Sequence, residues 1–218
     1  MLGNNDENNS EVVNLVIVGD PGIGKTNLIL SYAQDQFMAE YMPTVFDHYF
    51  SEIEYNGHPT NLEIWDLSGK DEHQSLRKFA YSKAQVIVVC FSMMDNKTFK
   101  SVQQKWLREI RADDKLKSIP LVLVATKCDM LEDLDTLESF HTNNKVDLQQ
   151  AKNLADFEGF VKLIETSSLF GDCVKNVFDE AIYAVLKNNQ KFGGSQSGNR
   201  NKKNKVDGNE KEKKCEIF

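Results

Sequence analysis

The chain has 218 residues, 40% of them hydrophobic and 27% charged, with a formal net charge of −7. That suffices for one domain with a full hydrophobic core, and no apolar run approaches the ~20 residues a bilayer-spanning helix needs. The charge is uneven: residues 187–218 hold nine Lys/Arg and four Asp/Glu, a net of +5, so the remainder carries −12, and such an acidic body argues against nucleic-acid binding, which needs a basic footprint.

In chain order, residues 1–11 are polar, with no apolar segment of the signal-peptide kind, and are expected to be disordered. Gly3 does not follow Met1 directly, so the myristoylation pattern is missing. Val12–Val18 is β-branched and apolar and predicts a first strand, which runs into Gly19-Asp20-Pro21-Gly22-Ile23-Gly24-Lys25-Thr26. Thr26–Gln34 has helical spacing. Residues 47–55 and 60–66 alternate and are joined by Asn56-Gly57, a pair that favours a type I′ hairpin turn. Strand and helix then alternate: Val86–Phe91 (strand), Lys97–Arg111 (helix, with Phe99, Val102, Trp106, Leu107 and Ile110 inward), Leu121–Ala125 (strand), an acidic helical stretch at 131–141, Leu148–Phe157 (helix), Val161–Ile164 (strand) and Val174–Lys187 (helix). This alternation predicts an α/β fold with a mostly parallel sheet covered on both faces. Residues 12–191 form that domain. Residues 192–218, rich in Gly, Ser, Asn and Lys, read as a flexible tail.

Four segments carry chemistry. Residues 19–26 fit G-x-x-x-x-G-K-[ST], a loop whose backbone N–H groups point at phosphates, with Lys25 as a point charge and the Thr26 hydroxyl suited to Mg²⁺. Thr126-Lys127-Cys128-Asp129 ends a strand; a carboxylate there accepts both N–H donors of a guanine edge, and adenine lacks that arrangement. Trp65-Asp66-Leu67-Ser68-Gly69 places an Asp at a strand end, where a carboxylate can hold Mg²⁺ through water, and a glycine whose N–H can meet a γ-phosphate. Tyr41-Met42-Pro43-Thr44-Val45-Phe46-Asp47 follows the first helix, where Thr44 would complete the Mg²⁺ shell only with a γ-phosphate present, an order–disorder switch.

In order and spacing these motifs resemble the Ras superfamily of small GTPases and, within it, the Rho branch. The Rho-like features are Y-M-P-T-V-F-D-H-Y at 41–49, T-K-x-D at 126–129, C-F-S at 90–92, K-W at 105–106, V-F-D-E-A-I at 177–182 and a long segment between Asp129 and Glu165, where the family has an insert helix. The resemblance implies the P-loop NTPase fold: six strands, mostly parallel, with one antiparallel hairpin strand and helices on both faces. It implies GTP/GDP and Mg²⁺ as ligands. Gly19, Asp20, Gly22, Ile23, Gly24, Lys25, Thr26 and Asn27 would surround the phosphates, Thr26 and Thr44 would ligate Mg²⁺, and Asp66 would stand in its second shell. Phe37 would pack on guanine, Thr126, Lys127 and Asp129 would read the base, and Ser167, Ser168 and Leu169 would meet the guanine oxygen. Tyr41, Met42, Pro43, Thr44, Val45, Phe46, Asp47, His48 and Tyr49 would engage effectors, together with residues 67–82. Exchange factors, dissociation inhibitors, a monomeric state and control of actin or polarity follow from the same resemblance.

Gly69, Lys70 and Thr44 fall at the family's catalytic positions, and Lys70 stands where the family has the glutamine that positions water. An ammonium only donates, so it cannot orient water as an amide does. Pro21 replaces a P-loop glycine, fixing φ and removing an N–H, and His73 replaces a tyrosine. Slow hydrolysis is expected, with a permanently GTP-loaded binding module as the alternative and a P-loop ATPase or kinase as a weaker one. The chain ends Cys215-Glu216-Ile217-Phe218, a C-a-a-X pattern favouring geranylgeranyl. One lipid chain anchors only marginally, and the tail lysines supply a second attraction to anionic lipid. A lipid-anchored, partly cytosolic protein at the cytoplasmic face of the plasma membrane is expected.

Overall fold

A computed structural model describes residues 11–40, 42–55, 57–131 and 144–193. Six strands form one sheet in the order β2-β3-β1-β4-β5-β6. They are β1 (Glu11–Val18), β2 (Phe46–Tyr55), β3 (His58–Leu67), β4 (Val86–Ser92), β5 (Leu121–Thr126) and β6 (Lys162–Glu165). Only β2 and β3 pair antiparallel; the other neighbours are parallel. This is the architecture that the alternation predicts. Every residue of β4 and β5 is buried, because helices cover both faces of a parallel sheet.

One face is covered by α2 (Gln74–Tyr81), α3 (residues 96–111) and α4 (Leu148–Glu158), and the other by α1 (Lys25–Gln34) and α5 (Val174–Gly193). Helix α3 runs Asn96–Ser101, widens to π geometry over Val102–Trp106 and resumes at Leu107–Arg111. Its expected inner face is the one that packs, with Val102, Trp106, Leu107 and Ile110 buried and Phe99 against them. Side-chain caps begin α3 and α4: Asp95 accepts from the Lys97 N–H at 2.9 Å and Asp147 from the Gln149 N–H at 2.8 Å.

Three details differ from the sequence reading. Helix α5 continues to Gly193, into the segment read as tail. The 3₁₀ turn Asp71–His73 and helix α2 were not anticipated. Strand β3 starts two residues early, at His58. Gly57 has φ 78, as a type I′ turn requires, but its partner Asn56 lies outside the described residues. So do residues 1–10, nearly all of the expected insert helix, Tyr41 and the tail with Cys215. Among the described residues no helix is long and apolar enough to cross a membrane.

Candidate nucleotide site

The parallel strands deliver their loops to one edge of the sheet, where a cavity of about 620 Å³ opens. That is the place where open α/β sheets hold ligands, and the size suits a small molecule. Pro21, Gly22, Gly24, Lys25, Thr26 and Asn27 line one end, and Thr126, Lys127, Asp129, Ser168 and Leu169 another. Phe37, Met42, Pro43, Thr44, Asp47, Tyr49, Gly69 and Lys70 are among the other residues of the wall.

The first end is built by the turn from β1 into α1. Gly24 caps α1 at φ 100, a left-handed conformation that a side chain resists. The Lys25 ammonium, 6% exposed as a residue, donates to Gly19 O and Asp20 O, both at 2.9 Å. Burial holds its pKa below the usual lysine value, with Asp66 pulling the other way. A buried cation at a helix N-terminus, beneath a glycine-rich turn, is suited to phosphate.

Beside it Thr26 Oγ1 donates to Asp66 Oδ2 at 2.6 Å, and Thr44 Oγ1 lies 2.8 Å from Thr26 Oγ1. Thr26 commits its proton to the carboxylate, so Thr44 is the donor in the second contact. Asp66 is fully buried, and its Oδ1 has no hydrogen-bond partner among the described residues. Burial raises its pKa, against the lowering effect of Thr26 and Lys25. Three hard oxygen side chains, one with an unused buried lone pair, fit Mg²⁺. Thr44 arrives from the loop between α1 and β2, which Asn27 pins reciprocally: its Nδ2 donates to Met38 O and its Oδ1 accepts from Met38 N, each at 3.0 Å.

At the other end the single Thr126 hydroxyl proton is shared between Ile23 O at 2.6 Å and Phe91 O at 3.0 Å, tying the end of β5 to the P-loop and β4. Lys127 has φ 61, and its Nζ donates to Gly22 O at 2.9 Å. Its stem thus spans the cavity between the two motifs. The Cys128 N–H donates to Thr166 O at 3.1 Å, which sets the 166–169 turn beside Asp129.

Five expected residues stand behind the wall. A Cβ on Gly19 would lie 2.5 Å from Cys90 O, so its role is close packing. Ile23 is 2% exposed, in the core. The Asp20 carboxylate turns away and accepts from Trp106 Nε1 at 2.9 Å. Asp66 sits under Thr26, and Ser167 Oγ accepts from the Phe170 N–H at 3.2 Å. Phe37 is on the wall, 44% exposed. In the candidate effector segment, Val45 is 51% exposed, Phe46 lies edge-on to Trp65, and His48 stacks on Trp65 with centroids 4.2 Å apart.

Besides Gly69, the segment after β3 is held by residues whose role sequence reasoning missed. A Cβ on Gly69 would lie 2.4 Å from Gly19 O and 2.7 Å from Pro21 N, so only glycine lets this segment rest on the P-loop. Arg77, with a side chain 1% exposed, donates from Nη1 to Ser68 O at 3.0 Å and to Lys70 O at 2.6 Å. Its Nε and Nη2 grip Glu109 of α3 at 2.7 and 2.8 Å, and Tyr81 Oη donates to the same carboxylate at 2.9 Å. Burial alone would raise the Glu109 pKa, but the Arg77 and Tyr81 hydrogen bonds hold it below the usual value. Lys105 Nζ donates to Gly69 O at 2.7 Å and pairs with Asp71 at 2.6 Å. The only sequence signal for this network is the charge of Arg77 and Glu109, which reads like any surface charge.

A P-loop, a Thr–Thr–Asp oxygen cluster and a Thr-Lys-x-Asp strand end thus meet around one cavity. The model of the Ras family matches residues 14–187, most of the chain. The chain belongs to the Ras family of small GTPases, switch proteins that bind GTP and GDP with Mg²⁺.

Proposed function

We propose that this Ras-family protein is a membrane-anchored switch of the Rho type that hydrolyses GTP slowly. The observation that carries the reading is the meeting of Thr26 and Thr44, on the wall that Gly69 and Lys70 share, with the buried Asp66 behind them, through contacts of 2.6 and 2.8 Å. Lys25 and the P-loop amides hold the phosphates, Thr26 and Thr44 hold Mg²⁺, and Lys127 and Asp129 select guanine. Thr44 sits in the loop that presents Val45 outward and leads into β2, which carries His48. Loss of a γ-phosphate would release Thr44 and disturb that effector surface with it.

Hydrolysis needs a water placed in line with the γ-phosphate. Lys70 lines the cavity at the position where a glutamine would serve, and its ammonium has no acceptor for a water proton. The Lys70 backbone is fixed by Arg77, so what Lys70 lacks beside a glutamine is the acceptor. The same observation favours a second reading, a GTP-loaded binding module switched by exchange or by release from the membrane. The C-a-a-X cysteine Cys215 and the tail lysines would attach either form to an anionic leaflet.

Single-turnover hydrolysis of bound GTP with Mg²⁺ tests the proposal. We expect slow conversion, and a rise of at least tenfold with Lys70→Gln. Fast conversion by the unaltered chain would overturn the slow-switch reading. No gain with Lys70→Gln would place the defect elsewhere, with Pro21 the next residue to change.

A further inference from the structure

Three lysines line the cavity, and they are not equivalent. Lys25 Nζ donates to two backbone carbonyls at 2.9 Å, and Lys127 Nζ to Gly22 O at the same distance. Lys70 Nζ instead faces Glu72 Oε1 at 3.6 Å, beyond hydrogen-bond distance, and that carboxylate is itself 64% exposed and stands 3.7 Å from His73 Nε2. The Lys70 side chain is 49% exposed, on a backbone that is held at both ends: its N–H donates to Ser68 Oγ at 3.3 Å, and its carbonyl accepts from Arg77 at 2.6 Å. Next to it, Gly69 rests on Gly19 and Pro21. A flexible four-carbon arm with a weakly held ammonium is thus rooted beside Gly69, which rests on the P-loop, in the same cavity wall as Thr44.

We propose that Lys70 is a specificity-determining residue, the chain's own cation for the terminal phosphate, which makes the protein prefer nucleoside triphosphate over diphosphate, with Glu72 as the competing counter-ion. This rests on the nucleotide-switch reading above. A triphosphate carries an additional phosphate group at that end, and a diphosphate offers Lys70 nothing within the same reach. The preference is electrostatic, so it weakens with salt, and Glu72 moderates it by holding the ammonium when the terminal phosphate is absent.

The test measures dissociation constants of the full chain with Mg²⁺ for GDP and for a non-hydrolysable GTP analogue. With Lys70→Met, the triphosphate-to-diphosphate preference is expected to fall about tenfold, about 1.4 kcal/mol, with GDP affinity within about twofold of its original value. Lys70→Arg should retain the preference. Glu72→Gln should raise it about two- to threefold, the scale of an exposed ion pair. An unchanged preference in Lys70→Met would overturn the proposal and leave the switch reading standing. Failure of the unaltered chain to bind either nucleotide would instead sink the switch reading.

Discussion

Glu109→Ala is the perturbation that most directly tests how the segment after β3 is held. The Arg77 and Glu109 side chains are 1% and 7% exposed and make a bidentate pair at 2.7 and 2.8 Å. Removing one member of such a pair leaves the other charge buried and costs about 3–5 kcal/mol. Arg77 keeps two carbonyl acceptors, Ser68 O and Lys70 O, so the lower end applies, about 3 kcal/mol. For a chain of this size 1 kcal/mol lowers Tm by about 2–4 °C, so a fall of about 6–12 °C is expected. Thermal unfolding of the GDP- and Mg²⁺-loaded chain measures it, and amide exchange over residues 68–82 should quicken in the same variant. Replacing both partners, Arg77→Met with Glu109→Leu, should recover part of the loss, because no charge is then left unpaired. A Tm within about 1 °C of the unaltered chain for Glu109→Ala, with exchange over 68–82 unchanged, would refute the argument.

Other outcomes follow from the site. Asp129→Ala should remove the preference for guanine over adenine nucleotides in competition binding; equal affinity of the unaltered chain for ATP would contradict the base assignment. The buried Asp66 carboxyl titrates above its ordinary value; the folded apo chain therefore holds that proton more tightly than the unfolded chain, a stabilisation present at low pH and lost as pH rises through the folded pKa. Mg²⁺ competes with the same proton, so the Mg²⁺ concentration that half-retains nucleotide should rise as pH falls towards the raised folded pKa of Asp66, and Asp66→Asn should flatten this dependence. Cys215→Ser should move the protein from membrane to soluble fractions in cells; unchanged membrane recovery would contradict lipid anchoring.

Local patterns made most of the framework legible. Val12–Val18 running straight into the P-loop fixes β1, the turn and α1 as one unit, and the structure keeps it so. Strands β4 and β5 announce themselves as apolar runs because both of their faces are covered. The alternation in 47–55 and 60–66 gave the antiparallel pair. What local pattern does not carry is pairing at a distance. Helix α2 is short, and besides burying Ala80 and Tyr81 it is tied down by Arg77, Tyr81 and Gln74, which meet Glu109 28 to 35 residues along the chain. Asp20 reads as a loop acid, but its carboxylate is held by an indole 86 residues away. Lys70 was legible as an unusual residue, whereas its loose pairing with Glu72 is a fact of three dimensions.

The two tryptophans give this protein an optical readout of its own state. Trp106 donates to the Asp20 carboxylate of the P-loop, and Lys105 Nζ and Arg77 Cζ lie 4.5 and 5.2 Å from its ring centroid. Trp65 stacks on His48 and faces Phe46 and Phe79. One indole therefore senses the P-loop and the segment after β3 through nearby charge, and the other senses β2 and α2 through ring contacts. Charged neighbours shift and quench indole emission, so a movement of Lys105 or Arg77 changes the Trp106 signal while Trp65 follows the candidate effector face. Replacing either indole by Phe isolates the other, and the two halves of the switch can then be timed separately in a stopped-flow fluorimeter with no label attached.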